Sequence, residues 1–185
     1  MNVHPLEIAD VLLFEPTAFE DERGFFMETY NEVRYHAAGI TERFVQDNVS
    51  LSHKGVLRGL HYQAPPHAQG KLVSVLRGRV FDVAVDIRSG SLTFGKHVAV
   101  ELSQANKKQL WIPPGFAHGF LTLEDDTILS YKCTNTYEPS CDRGIIWNDS
   151  DLAISWPITN PIVSEKDNSS PPLKKYRGDF SLVKK

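Results

Sequence analysis

Cysteine is scarce in this chain of 185 residues, which contains only Cys133 and Cys141. The two cysteines lie eight positions apart and form no Cys-x-x-Cys pair. Disulfides belong mainly to oxidising compartments, and the sequence carries no mark of secretion. We therefore expect two free thiols, buried or partly buried.

Long apolar runs and dense positive charge are also missing. No run approaches the roughly 20 apolar residues that cross a bilayer, and the opening MNVHPLEIAD has no basic region followed by an apolar stretch. The formal net charge is -3, and basic residues form no run longer than a pair such as the terminal Lys184-Lys185. We expect a cytoplasmic protein without membrane or nucleic-acid partners, in which a few placed cations bind any anionic ligand.

The histidines lack the spacing of a metal site. A His-x-His pair followed by a carboxylate would indicate a metal, but Tyr62 and Gln63 follow His61, and His67 lies in a proline-rich loop. The sequence therefore predicts neither a metal ion nor another cofactor.

Short β-strands dominate what is present, because glycine and proline recur every ten to fifteen residues and no long helical period occurs. One short helix is predicted in NEVRYHAAG, with Asn31 as its cap and Gly39 as its stop. The predicted strands cover residues 44–52, 56–62, 71–77, 79–87, 95–102, 109–112, 118–122, 127–134 and 144–147. The pair KLVSVLR and RVFDVAVDIR is interpreted as a hairpin turning at Gly78 and buried on both faces. These patterns indicate an all-β sandwich or barrel forming one domain over residues 1–168, and 169–185 read as a loosely attached tail.

Cationic side chains interrupt the strands within residues 55–88, where Arg58, His61 and Lys71 occur. Strand parity places Arg58 and His61 on opposite faces unless Gly59, between them, marks a bulge. Buried cations are costly unless they meet an anion, so this group favours an anionic ligand.

Three further stretches carry candidate functional residues. His118 follows a Pro-Pro-Gly turn that leads into a strand, Tyr131 and Tyr137 lie near Asp142, and VSEKD ends with a carboxylate at position 167. Taken singly, each of these residues is more typical of a structural or solvent-exposed role.

Taken together, eight motifs resemble the dTDP-4-dehydrorhamnose 3,5-epimerase family from about Asp21 to Asp167. They are, in order, DERGFFMETYN, FVQDNVS, GVLRGLHYQ, QGKLVSVLRGRVFDVAVDIR, IPPGFAHGFLTL, YKCTNTYEP, DRGIIWND and SEKD. The resemblance implies a cupin-type jelly roll, with a few short peripheral helices, that acts on dTDP-4-dehydro-6-deoxy-D-glucose. The family inverts C3 and C5, the carbons beside the C4 ketone, without a metal.

The resemblance also implies the residue roles. His61 would be the base, oriented by Asp167, Lys71 would stabilise the enolate, and Tyr131 would be the acid that protonates the opposite face. Arg58 would contact the diphosphate, and Tyr137 would stack on the thymine. The other implied substrate-binding residues are Arg23, Phe25, Glu28, Gln46, Asn48, His118, Asp142 and Lys166. Family members are homodimers, so Arg23, Phe25 and Glu28 would complete the partner's site.

The sequence departs from the family at one motif and leaves several alternative functions open. The family often has Glu-Arg-Gly where this chain has Asp142-Arg143-Gly144, which shortens one carboxylate by a methylene. A monofunctional 3- or 5-epimerase would keep the same base, cation and acid, whereas a related 3,4-ketoisomerase fits the SEKD and SYKCT motifs less well. A non-catalytic sugar-nucleotide binder could dispense with the base and the acid, and a cupin oxygenase would need the missing metal ligands.

Overall fold

The computed structural model describes residues 1–182 and contains sixteen strands, two short α-helices and two single-turn 3₁₀ helices. The strands are β1 (Asn2–Pro5), β2 (Leu12–Glu15), β3 (Ala18–Asp21), β4 (Gly24–Met27), β5 (Gln46–Ser52), β6 (Val56–Gln63), β7 (Lys71–Arg77), β8 (Arg79–Asp86), β9 (Arg88–Ser89), β10 (His97–Ser103), β11 (Gln109–Ile112), β12 (Phe116–Thr122), β13 (Thr127–Cys133), β14 (Asp142–Gly144), β15 (Ile162–Val163) and β16 (Phe180–Ser181). The α-helices are α1 (Glu32–Ala37) and α2 (Glu165–Asn168), and the 3₁₀ helices span Pro139–Cys141 and Leu173–Lys175.

Two antiparallel sheets form the body of the molecule. The first has the order β1-β2-β11-β7-β13-β5, and the second has the order β10-β8-β12-β6-β14, with β15 joining β6 in parallel. Apolar side chains from both sheets, including Val73, Leu129, Val80 and Phe120, pack in one cluster between them. The architecture is the predicted all-β jelly-roll sandwich, with two separate sheets rather than one closed barrel.

A second apolar cluster covers the outer face of the second sheet. Strand β8 contributes Val83 and Val85 to this cluster, while its Val80 and Ala84 point into the core between the sheets. The burial of β8 on both faces is therefore confirmed, and it follows from its nearly continuous apolar sequence.

The predicted hairpin at Gly78 is wrong. Strand β7 pairs with β11 and β13, whereas β8 pairs with β10 and β12, so the chain crosses from one sheet to the other at this glycine. Gly78 has a φ of 76°, and a Cβ there would lie 2.3 Å from the hydroxyl of Thr127. A tight corner between sheets requires glycine just as a hairpin turn does, so the local sequence could not distinguish a crossing from a hairpin.

Helix α1 agrees with its prediction. The side chain of Asn31 accepts the Arg34 N–H, and Gly39 follows the helix at a φ of 108°. Tyr35 stacks on Phe14 at 4.9 Å and fixes the helix against the outer face of the first sheet.

The strand predicted at 144–147 lies too late in the sequence. Strand β14 spans Asp142–Gly144 instead, and Ile145 continues as a buried residue that exchanges backbone hydrogen bonds with Leu60.

Cys133 and Cys141 are both buried free thiols, as predicted. Across residues 1–182, no helix has the length and apolar character needed to span a membrane.

The segment after Asn168, predicted to be a loosely attached tail, is packed against the second sheet as far as residue 182. Leu173 is 9% exposed and joins the outer cluster, and its backbone N–H donates to Asp149 Oδ2 at 2.8 Å. Tyr176 packs edge-on against Tyr62, and β16 pairs with β9 in parallel. The prediction rested on polar composition and overlooked these apolar residues; Val183 to Lys185 lie outside the described residues.

Candidate active site

A cavity of about 510 Å³ opens between the two sheets at one end of the sandwich. It is lined by Ser50, Val56, Leu57, Arg58, His61, Lys71, His118, Phe120, Tyr131, Ile162, Val163, Ser164, Lys166 and Asp167. The four residues that the sequence analysis assigned to catalysis thus face one space, although they come from β6, β7, β13 and α2.

A bulge in β6 brings Arg58 and His61 to the same cavity. His61 pairs with His118 and Arg58 pairs with Phe120, so three steps on β6 match two on β12. A Cβ at Gly59 would lie 2.6 Å from the Gly119 Cα, and only glycine fits this approach of the two strands. The bulge predicted at Gly59 is therefore confirmed.

His61 and Asp167 form a hydrogen-bonded pair. The Nε2 atom of His61 lies 2.6 Å from Asp167 Oδ1, and the Gly59 N–H donates to the other carboxylate oxygen at 3.1 Å. Burial alone would raise the pKa of Asp167, but the hydrogen bonds from His61 and Gly59 outweigh it and hold the pKa below its usual value. A carboxylate accepts the Nε2 proton, so Nδ1 is the nitrogen of His61 that remains able to take a proton.

Lys71 and Tyr131 stand beside this pair on neighbouring strands. The Nζ atom of Lys71 donates to the His61 carbonyl at 3.4 Å and lies 5.9 Å from the centre of the Tyr131 ring. Burial lowers the pKa of Lys71 and raises the pKa of Tyr131. The phenol therefore keeps its proton at neutral pH and is able to donate it.

A second histidine–carboxylate pair lies deeper in the cavity wall. His118 Nε2 is 3.0 Å from both carboxylate oxygens of Asp82, which is fully buried on β8. Burial lowers the pKa of His118 even though Asp82 opposes the shift. Asp82 was not among the predicted site residues, and its only local signal is a carboxylate in the otherwise apolar FDVAV.

A smaller cavity of about 300 Å³ continues from the first and shares His61, Lys71, Tyr131 and Lys166 with it. Gln46, Asn48, Tyr137, Asp142 and Lys166 line this part, so five of the predicted substrate-binding residues lie together. The Tyr137 backbone N–H donates to Gln46 Oε1 at 2.7 Å, its hydroxyl donates to Asp142 at 3.3 Å, and Lys166 forms an ion pair with the same carboxylate. Asp142, in spite of its shorter side chain, thus binds both Tyr137 and Lys166.

Arg58 also lines the larger cavity and is held there by two hydrogen bonds. Its Nε donates to Ser52 Oγ at 3.1 Å, and its Nη2 donates to the Leu51 carbonyl at 3.4 Å. These two bonds hold the guanidinium beside the inner face of β5.

The predicted binding residues of the N-terminal segment lie elsewhere. Arg23 pairs with Asp21 at 2.6 Å in the β3–β4 hairpin, and Glu28 pairs with Arg34 at 3.1 Å. Neither these two residues nor Phe25 lines either of the cavities just described. Within one chain, therefore, the structure does not bring them to the other candidates.

The arrangement as a whole suits acid–base chemistry on a bound organic substrate. An oriented histidine, a partly buried lysine and a protonated phenol around one cavity can remove a proton, stabilise the resulting negative charge and return a proton. Fold and site thus define a class of protein, a jelly-roll enzyme equipped for proton transfer at carbon.

Comparison with known proteins identifies the particular family. A family model described as dTDP-4-dehydrorhamnose 3,5-epimerase matches residues 5–175. A relative of that name from Shigella flexneri is 59% identical over 168 residues, covering 90% of this chain and 93% of its own. A relative from Streptomyces niveus, named dTDP-4-dehydrorhamnose 3-epimerase, is 36% identical over 171 residues, covering 92% of this chain and 83% of its own.

Solved structures agree with the sequence matches. The crystal structure of dTDP-6-deoxy-D-glucose-3,5-epimerase from Legionella pneumophila, in complex with dTDP-4-keto-L-rhamnose, has a TM-score of 0.95 and 49% identity. The match covers 100% of this chain and 99% of that one. The chain belongs to the dTDP-4-dehydrorhamnose 3,5-epimerase family and is an isomerase with the family's jelly-roll fold.

Proposed function

We propose that this chain converts dTDP-4-dehydro-6-deoxy-D-glucose to dTDP-4-dehydro-L-rhamnose by inverting C3 and C5, without a metal ion or other cofactor. The observation that carries the proposal is the His61–Asp167 pair, 2.6 Å apart, facing the same cavity as Lys71 and Tyr131. The names of the relatives support this assignment of the substrate.

In the proposed mechanism, His61 Nδ1 removes the proton from the carbon next to the C4 ketone. Asp167 holds the ring through Nε2 and stabilises the imidazolium that forms. The C–H bonding electrons move into an enolate, whose oxygen is stabilised by the Lys71 ammonium.

Inversion requires that the new proton arrive from the other face of the sugar. The Tyr131 hydroxyl is the proposed donor. Burial raises the pKa of Tyr131, so the hydroxyl keeps its proton until the enolate accepts it. The C4 ketone then reforms, and repeating the cycle at the second carbon completes the double epimerisation. Proton exchange with solvent resets the base and the acid.

Binding of the nucleotide is proposed to use the other lining residues. Arg58 would hold the diphosphate, Tyr137 would stack on the thymine, and the remaining contacts would come from Gln46, Asn48, His118, Asp142 and Lys166. Their positions along the two connected cavities support this division.

We also propose that the chain acts as a homodimer in the cytoplasm. Phe19 and Phe26 on the β3–β4 hairpin are 66% and 73% exposed, and Arg23, Phe25 and Glu28 lie outside the chain's own cavities. A hairpin that crosses to the partner would cover these aromatic rings and complete the partner's site.

Proton NMR in deuterated buffer with EDTA tests the function. Deuterium at both C3 and C5 of dTDP-4-dehydro-6-deoxy-D-glucose is the expected result, with a downstream reductase yielding dTDP-rhamnose. Deuterium at one carbon would favour a monofunctional epimerase, a candidate supported by the Streptomyces niveus relative. Loss of turnover in EDTA with recovery on adding a divalent metal would contradict the metal-free mechanism.

A further inference from the structure

Strand β5 carries a row of polar side chains along the cavity. Gln46, Asn48, Ser50 and Ser52 alternate along the strand, and strand parity turns all four to the same face. Three of them have hydrogen-bond partners: Gln46 accepts from Tyr137, Asn48 accepts from Gln46, and Ser52 accepts from Arg58.

The hydroxyl of Ser50 differs from its neighbours. Its Oγ is shielded from water and has no hydrogen-bond partner within residues 1–182, although the residue lines the 510 Å³ cavity. Leu129, opposite Ser50 in the β5–β13 register, offers no polar side chain. A buried hydroxyl without a partner is destabilising, so its presence in a binding cavity points to a partner that arrives with the ligand.

The neighbouring guanidinium indicates which ligand group this is. Arg58 uses Nε and Nη2 for the Ser52 hydroxyl and the Leu51 carbonyl, while Nη1 has no acceptor in the described part of the chain. A rotation about χ1 can turn the Ser50 hydroxyl toward the cavity, because serine has three staggered rotamers. Two unused donors on adjacent side chains fit an oxygen-rich anion such as a phosphate.

We propose that Ser50 is a further substrate-binding residue, whose hydroxyl donates a hydrogen bond to the diphosphate group held by Arg58. This inference rests on the proposed function, since it takes the substrate to be a nucleoside diphosphate. Ser50 is a binding residue in this scheme and takes no part in proton transfer.

The test compares Ser50→Ala with the wild-type protein in dTDP binding by calorimetry and in thermal unfolding. We expect the dTDP dissociation constant to rise about tenfold or more, because hydrogen bonds to charged groups are strong. The Tm of the ligand-free variant should rise, because an unpaired buried hydroxyl is removed. Thymidine, which lacks phosphate, should bind both proteins equally, and Ser50→Thr should restore most of the affinity for dTDP.

Ser130→Ala is the matched control, because Ser130 lies on neighbouring β13 opposite Val49, on the other face of the sheet. It should leave dTDP binding unchanged.

A higher Tm in Ser50→Ala with unaltered dTDP affinity would overturn the inference, since a purely structural unpaired hydroxyl predicts that pattern. Equal losses for thymidine and dTDP would also overturn it. If Ser50→Ala failed to fold, Ser50→Cys would serve as the second variant, with the same expected loss. Failure of the wild-type protein to bind dTDP would instead count against the proposed function.

Discussion

At the scale of single residues, each of the two histidines in the site is paired with a fixed carboxylate. His61 and Asp167 are 106 positions apart in the chain and 2.6 Å apart in the fold, and His118 and Asp82 form a similar pair. In each pair the carboxylate is almost fully buried, so it has little freedom to turn away from the imidazole. Such fixed pairs allow a histidine to keep one tautomer.

Replacing His61 with asparagine should abolish deuterium incorporation at both C3 and C5. Asparagine keeps a polar side chain near Asp167 but cannot take a proton, so a loss of at least about 10²-fold in rate is expected. NMR in deuterated buffer measures the exchange, and circular dichroism checks the fold. His53→Asn, at an exposed position outside both cavities, is the control. Unimpaired exchange in His61→Asn would remove His61 as the base.

Replacing Tyr131 with phenylalanine should slow net inversion more than proton abstraction. The variant keeps the aromatic ring near Lys71 but loses the hydroxyl that donates the new proton. Comparing the rate of deuterium uptake with the rate of product formation measures the two steps. Equal losses in both rates would argue against a separate acid.

Asp167 should make the stability of the protein sensitive to acid. Because its pKa is lowered in the folded state, the unfolded chain takes up the proton first as the pH falls below about 3.9. The stabilisation is therefore complete above that pH and is lost as the pH falls through the folded-state pKa. Urea unfolding across this range should show the stability advantage of the wild-type protein over Asp167→Asn shrinking at low pH. An advantage independent of pH would contradict this account.

At the scale of elements, two connections could not be predicted from the local sequence. One is a tight corner, and the other is a pair of parallel strands. The one-residue link at Gly78 moves the chain between sheets, and β16 pairs with β9 in a separate two-stranded sheet. The segment 169–182 thereby covers apolar side chains of β6 and β8, among them Tyr62 and Val85.

Replacing Leu173 with alanine should lower the free energy of unfolding by about 2–4 kcal/mol. The side chain is 9% exposed within the outer apolar cluster, and large-to-small changes at such sites leave a cavity. Urea denaturation measures the change, with the exposed neighbour Lys174→Ala as the control. A change below about 0.5 kcal/mol would show that the segment is only loosely held, as its composition suggests.

At the scale of the whole molecule, the predicted binding residues Arg23, Phe25 and Glu28 lie outside the two cavities of their own chain. The β3–β4 hairpin carries Arg23 and Phe25, and Lys107 holds it through an ion pair with Glu20 at 3.0 Å and through the Phe25 ring at 4.8 Å. The hairpin is therefore fixed to its own chain near its turn, while Phe19 and Phe26 stay exposed.

Mixing two inactive variants tests whether Arg23 acts in the partner's site. In a dimer of Arg23→Ala with His61→Asn, one site combines His61 of the first chain with Arg23 of the second, and the other site lacks both. Random exchange of subunits at equal amounts should therefore restore about a quarter of the wild-type activity. Each variant alone is the control, and a mixture no more active than its parts would place Arg23 in its own chain's site.

Local signals predicted most of the elements. The strand at 109–112 and the cap at Asn31 were found because period, turn residues and capping are encoded by neighbours in sequence. The bulge at Gly59 was signalled by the glycine itself, since strand parity alone places Arg58 and His61 on opposite faces. Asp82 was missed because a carboxylate in an apolar strand reveals its partner, His118, only once β8 and β12 are paired.

The sequence by itself determined the strand-rich class, the free thiols and, through its ordered motifs, the family. Each of these depends on residue types and on spacing along the chain. The tertiary structure alone decided that the chain crosses between sheets at Gly78 and that residues 169–182 pack on the second sheet. It also decided that, within residues 1–182, the Ser50 hydroxyl has no hydrogen-bond partner beside Arg58. These features depend on contacts between residues far apart in sequence, and burial and hydrogen bonding select such contacts only when the whole chain is folded.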